Sequence, residues 1–221
     1  MYVLEEALKR LGQDKAKTRV VIQGFGHVGF NAARILYEKG YKVIAVSDSK
    51  GGIINENGLH IPGVIDHKKR TGGVTDFPAS RNISGDELLT CACEVLIPAA
   101  LSDQINETNA RDIKAGIILE LANAPTSQHA DKILTERGVL IIPDIVANAG
   151  GVVVSYFEWS QNLDNDYWPD EEILRRLNSI MITAFNDVYG VCTAEPCSMR
   201  RSAYGLGVRR VLNAERLRGR L

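Results

Sequence analysis

The chain has 221 residues, 45% hydrophobic and 24% charged, an ordinary globular composition with enough apolar material for one large core. Its 26 basic and 27 acidic side chains leave a formal net charge of −1, so nothing draws the whole molecule toward nucleic acid or an anionic membrane surface. No apolar run approaches the roughly 18–20 residues that span a bilayer, and the opening MYVLEEALKR reads as an amphipathic helix of mixed charge rather than a secretory leader.

In chain order, residues 2–12 place Val3, Leu4, Ala7, Leu8 and Leu11 on one helical face, closed by Gly12. RVVIQG (19–24) is a short β-branched run of the kind buried in parallel sheets. A helix over 27–39, stopped by Gly40, and a second strand, KVIAVSD (42–48), follow. Asn57-Gly58 marks a turn between short apolar pieces, and Pro62 opens a helix to about Arg70. Ser84 and Glu87 have capping-box spacing. Then come a strand at 94–100, a short helix in NETNARDI, a strand in GIILELAN, a helix at 127–137 and a strand in VLIIPD. From residue 144 the strands stop. NAGGVVVSYFEWSQN leads into two long helical patterns, 169–190 and 198–218, with Pro196 between them. Alternating strands and helices over 19–143 predict an α/β fold, a doubly wound and mostly parallel Rossmann-type sheet with helices on both faces. The terminal helices pack on it. Cys91, Cys93, Cys192 and Cys197 have no histidines at zinc spacing, so they read as reduced thiols of a cytoplasmic protein with no metal site.

GFGHVG, comprising Gly24, Phe25, Gly26, His27, Val28 and Gly29, has the spacing G-x-G-x-x-G. Alone the pattern is weak, but here it follows a strand, opens a helix and precedes an acidic residue, Asp48, at the end of the next strand. Gly24 permits the tight turn, Gly26 lets a pyrophosphate approach the backbone, and Gly29 lets helix and strand pack closely. The helix N-terminus offers free N–H groups and partial positive charge to phosphates. Asp48 accepts hydrogen bonds from the hydroxyls of an adenosine ribose and repels a 2′-phosphate, which favours NAD. Ser49 and Lys50 sit beside it, and Lys50 keeps NADP open. His27 is a candidate donor to pyrophosphate or ribose; its plainer reading is an exposed polar residue at the helix start.

Taken together, VVIQGFGHVG, VSDSKGGI, LIPAAL, LANAPT and PDIVANAGGVVVSYFEWSQN resemble the coenzyme domain of the glutamate, leucine, phenylalanine and valine dehydrogenase family, with VSYFEW closest to the glutamate branch. The likeness runs over nearly the whole chain. It implies that Ala99, Ala100, Asn123 and Asn148 line the ribose and nicotinamide of NAD. It also implies that Ser155 and the backbone near Val152 meet the substrate, L-glutamate or 2-oxoglutarate, in a reversible oxidative deamination that releases ammonia. Residues 1–221 then form one NAD(P)-binding domain, with 1–17 the inter-domain linker helix and about 169–221 the C-terminal helices. In the family the catalytic lysine and aspartate lie in a preceding domain, so no catalytic residue is expected here. The chain is expected to be truncated and inactive alone, and its full-length form a homo-hexamer. Two positions depart from the family pattern: His27 stands for the usual Asn, and Ala124 for the usual Gly. The rival readings are a non-catalytic NAD-sensing regulatory domain, or the same half of a leucine, phenylalanine or valine dehydrogenase. Arg200, Arg201, Arg209, Arg210, Arg216, Arg218 and Arg220 make the last helix basic. Interleaved Leu206, Val208, Val211, Leu212 and Leu217 point to a packing helix across the two-domain junction, not to a nucleic-acid-binding one.

Overall fold

The computed structural model describes residues 1–194 and 197–220, so the expected break at Pro196 lies outside the described residues. Among the described residues, seven strands form one sheet: β1 (Arg19–Gln23), β2 (Lys42–Asp48), β3 (Gly51–Ile54), β4 (Arg81–Ile83), β5 (Val95–Pro98), β6 (Ile117–Leu119) and β7 (Leu140–Ile142). Their spatial order is β4-β3-β2-β1-β5-β6-β7. The five strands from β2 to β7 run parallel, while β3 and β4 add an antiparallel edge. From β1 the chain moves outward to β2, then returns to place β5 on the other side. The order therefore reverses between β1 and β5, where a crevice opens at the strands' C-terminal ends.

Strand residues alternate between two cores. Val20, Ile22, Val95, Ile97, Ile117, Leu119 and Ile142 enter one; Val21, Leu96, Ile118 and Ile141 enter the other. The first core packs under α1 (Tyr2–Arg10), α2 (His27–Glu38), α3 (Ile61–Thr71), α6 (Asp144–Ala147), α8 (Asp170–Ala194) and α9 (Met199–Leu217). The second lies under α4 (Gly85–Leu89) and α5 (Gln128–Glu136). Val20, Val21 and Ile22 are fully buried. Their burial contributes roughly 5–9 kcal/mol, far more than the surface ion pairs, each worth about 0–1 kcal/mol. β1 is therefore the fixed rail from which the following loop projects. Between Val20 and Val21 the β1–β2 register slips by one residue, and Ile44 and Ala45 consequently share the second core.

The doubly wound sheet and the two long terminal helices agree with the sequence reading. The Ser84–Glu87 capping box forms at α4. Three expectations are corrected. NETNARDI makes turns, not a helix, because its asparagines capture the backbone: Asn109 Oδ1 accepts from the Asn106 amide at 2.9 Å, and Asn106 Oδ1 from the Thr108 amide at 3.0 Å. The strand expected at 94–100 ends at Pro98, and the one in GIILELAN spans only Ile117–Leu119. The NAGG segment, to which the sequence reading assigned no element of its own, runs into a further helix, α7 (Gly150–Asp164). Among the described residues no helix is long and apolar enough to cross a membrane, and all four cysteines are free thiols.

Candidate functional site

The glycine loop leaves β1 and enters α2 directly. Gly24 has φ +94°, and a methyl there would meet the Ala99 carbonyl oxygen at 2.8 Å. At Gly29 a methyl would collide with the Gly24 carbonyl at 1.8 Å. Both glycines are therefore required by the chain's own packing. Gly26 differs: it is exposed, its φ of −79° suits any residue, and a methyl would meet nothing within 4 Å. It is also the N-cap of α2, with no side-chain cap and no acidic residue in the first turn. The helix end thus keeps its free N–H groups and positive potential. Ser47 Oγ, buried at the end of β2, accepts from the Gly24 amide at 3.4 Å and ties the loop to β2. The Ala99 amide donates to the Gln23 carbonyl at 2.8 Å, bringing the β5 loop with Ala99 and exposed Ala100 alongside.

Not every residue of the loop faces outward. Phe25 is buried in the first core, so its side chain packs and only its backbone borders the crevice. His27 and Val28 are exposed. His27 stands between two cavities. One, of about 480 Å³, is lined by Phe25, Gly26, Phe30, Ile65, Lys68 and Lys69. The other, of about 290 Å³, is bordered by Val28, Asn31, Ile97 and Leu121.

Asp48 is more occupied than its sequence position suggests. Its Oδ1 accepts from the Lys50 amide at 3.0 Å; its Oδ2 accepts from Lys68 Nζ at 2.8 Å and from the Val74 amide at 3.1 Å. A carboxylate has about four acceptor directions, which leaves about one for a ribose hydroxyl where two were expected. Lys68 also donates to the Phe25 carbonyl at 3.0 Å and lies 5.7 Å from the Phe25 ring centre. It therefore locks α3 onto the loop and neutralises Asp48. Ser49 is exposed, and the stem of Lys50 lies against Gly73 with its ammonium group beside Gly72.

At the other end of the crevice the structure brings two candidates together: Asn148 Nδ2 donates to Asn123 Oδ1 at 2.8 Å. Asn148 is the C-cap of α6, and Asn123 precedes Ala124, whose φ is +45°. Val152 and Ser155 are both exposed on the first two turns of α7, beyond these asparagines. Each of the two turns that carry the asparagines lies at a strand's C-terminal end, on the same side of the sheet as the glycine loop.

This geometry has known counterparts. The family model for glutamate/leucine/phenylalanine/valine dehydrogenase matches residues 1–219. The chain belongs to this family. It is 44% identical over 216 residues to the catabolic NAD-specific glutamate dehydrogenase of Bacillus subtilis, covering 98% of this chain and 51% of that protein. Among solved structures it resembles the leucine-bound hetero-hexameric glutamate dehydrogenase of Thermus thermophilus, with TM-score 0.91, 31% identity, and 98% of this chain and 51% of that one covered. The glutamate dehydrogenase of Peptoniphilus asaccharolyticus gives TM-score 0.83 at 30% identity, covering 99% of this chain and 51% of that one. The chain spans about half the length of the curated relative it matches.

Within this dehydrogenase family member, two site residues escaped the sequence reading. Lys68 lies in an unremarkable basic helix end, and only the fold shows α3 crossing the glycine loop. Arg200 looked like one of seven arginines on a charged helix face. Instead it reaches Glu120 at 2.6 Å, Asp131 at 2.8 Å and Asp144 at 3.2 Å, behind the Asn123 turn. Arg137, an exposed residue, also bonds inward, donating from its guanidinium to the Ala110 and Ile113 carbonyls; it braces the loop between β5 and β6, not the crevice.

Proposed function

We propose that this chain is the coenzyme-binding half of a glutamate dehydrogenase, binding NAD at the crevice between β1 and β5. The observation that carries the reading is Gly26. Its neighbours Gly24 and Gly29 are needed by the fold, whereas a side chain at Gly26 would meet nothing inside the chain, and Gly26 sits on a helix N-terminus with no side-chain cap. A small residue there serves close approach of an external phosphate. The free N–H groups of α2 would hold the pyrophosphate, the remaining acceptor direction of Asp48 a ribose hydroxyl, and the Asn123–Asn148 pair the carboxamide end. When bound, NAD supplies the acceptor for the hydride that leaves the substrate Cα.

Glutamate as substrate is supported by the 44% identical relative and by exposed Ser155, which offers a hydroxyl to a side-chain carboxylate. The resemblance assigns the catalytic lysine and aspartate to the other half. These 221 residues are accordingly proposed to bind NAD(H) without turning over glutamate, and the whole enzyme to be a hexamer.

Titration of the chain with NADH, followed by calorimetry, tests the reading. Gly26→Ala should weaken NADH binding roughly tenfold or more while the unfolding midpoint stays within about 2 °C, since the methyl meets no protein atom. Unchanged NADH affinity in Gly26→Ala would remove the argument for this loop.

A further inference from the structure

Arg200 sits at the first turn of α9, in the part of the chain that follows the sheet, yet it bonds to three separate elements behind the Asn123 turn, beside a cavity that Ala124, Asp131 and Asp144 also line. Its Nε meets Asp131 of α5 at 2.8 Å, its Nη2 meets Glu120 after β6 at 2.6 Å, and its Nη1 meets Asp144 at the start of α6 at 3.2 Å. The Glu120 side chain is fully buried and that of Asp131 10% exposed, while Asp144 and Arg200 are partly buried, at 17% and 20%. The cluster is tied together by the backbone as well. Glu120 Oε2 accepts from the Asp144 amide at 2.9 Å. Asp144 Oδ2 accepts from the Ala124 amide at 2.8 Å, and the Asp144 carbonyl accepts from the Asn148 amide at 3.0 Å.

Asp144 therefore holds both turns that carry the crevice asparagines. One bond fixes the left-handed Ala124 next to Asn123, and the other closes the four-residue helix that ends at Asn148. The Asn148–Asn123 bond at 2.8 Å completes the ring. Without Arg200, three carboxylates would face one another with no cation, and Asp144 would turn toward solvent to escape the repulsion. Lysine cannot replace it, because a single ammonium cannot reach three carboxylates in three directions as a guanidinium fork does. Burial pulls the Arg200 pKa down, but the Glu120 and Asp131 carboxylates outweigh this and hold it raised. For Glu120, burial raises the pKa and Arg200 offsets only part of the rise.

We infer that Arg200 is a positioning residue for the nicotinamide end of the crevice, acting through Asp144 to aim Asn123 and Asn148. The inference rests on the reading of this crevice as a dinucleotide site. It gives α9 a role in cofactor geometry in addition to packing.

The test compares NADH with ADP-ribose, which shares the adenosine and pyrophosphate but has no nicotinamide. Calorimetric titrations are made on the chain and on its Arg200→Met, Arg200→Lys and Asp144→Ala variants, with circular dichroism as the check of fold. The unaltered chain should bind NADH more tightly than ADP-ribose. In each variant the NADH affinity should fall roughly tenfold, the value of a lost hydrogen-bonding pair, while ADP-ribose affinity stays within about twofold. Should Arg200→Met fail to fold, Asp144→Ala decides, because it removes the link to Ala124 and leaves Arg200 paired with Glu120 and Asp131. Equal losses for both ligands would mean a merely structural anchor, and no loss for either would mean no coupling; both overturn the inference. An unaltered chain that binds the two ligands equally also overturns it, leaving the dinucleotide reading intact. If that chain binds neither ligand, the dinucleotide reading itself fails, and the inference with it.

Discussion

Ala124 is the residue at which sequence and geometry disagree most openly. An L-alanine at φ +45° crowds its Cβ against the following carbonyl, at a cost of roughly 1–2 kcal/mol that glycine escapes. Glycine in turn gives up roughly 0.4–1 kcal/mol of unfolded-chain entropy. Ala124→Gly should therefore stabilise the fold by about 0.5–1 kcal/mol, measured by urea denaturation; destabilisation would show that the turn has adapted to alanine. The departure from the family's glycine was visible in LANAPT, but whether it mattered depended on a backbone angle that one sequence does not disclose. Lys68 raises a different question. It neutralises Asp48, the residue expected to repel a 2′-phosphate. Lys68→Met should free Asp48 and tilt the NADH-to-NADPH affinity ratio toward NADH by roughly tenfold, about 1.4 kcal/mol. A ratio unmoved in paired calorimetric titrations would leave Lys68 a purely structural brace for α3.

Elements with a strong local signal were legible: the apolar face of α1, the β-branched runs of β1 and β2, the capping box of α4. Elements that depend on distant partners were not. β4 is three residues of unremarkable sequence that pair with β3, and α7 carries apolar residues on several sides, so its sequence does not mark which face is buried. The N-terminus of α8 shows how local chemistry reads out in pH. Glu172 accepts from Arg175 at 2.7 Å and from Arg176 at 2.6 Å, and the Arg176 guanidinium lies 3.9 Å from the Trp168 ring centre. The hydrogen bonds from Arg175 and then Arg176 lower the Glu172 pKa from 4.5 to about 2. A lowered carboxylate pKa means that the folded state binds its proton less readily than the unfolded chain. Its contribution to stability is thus fully present above pH 4.5 and is lost as pH falls toward 2. The unfolding midpoint of Glu172→Gln should lie below that of the unaltered chain at neutral pH, and the gap should close between pH 4.5 and 2. A gap independent of pH in a thermal-melt series would assign the difference to helix propensity and not to the ion pairs.

At the scale of the whole molecule, the parts of the candidate site were nameable from the sequence, and the contacts between them were not. The glycine loop, Asp48 and the NAGG turn stand far apart in the chain, and their convergence follows from a doubly wound topology. Which cations brace them, Lys68 from one side and Arg200 from the other, follows only from helix placement. The same topology leaves a surface unsatisfied. On α7, Val152, Tyr156, Trp159 and Leu163 recur along one face and are between 57% and 69% exposed; Val208, Val211 and Leu212 add a second exposed apolar strip on α9. Contiguous apolar surface of this extent is unusual on a monomer, and each buried large side chain would return about 1.5–3 kcal/mol. The isolated chain should therefore self-associate with rising concentration, and 0.5 M salt should not dissolve the complex, because apolar burial is not screened as ion pairs are. Sedimentation velocity should register this as a rising weight-average mass. The double variant Tyr156→Ser/Trp159→Ser should bring that mass down toward the monomer without changing the NADH affinity, since neither ring borders the glycine loop. A chain that sediments as a monomer at every concentration would show that these side chains fold back onto the domain in solution.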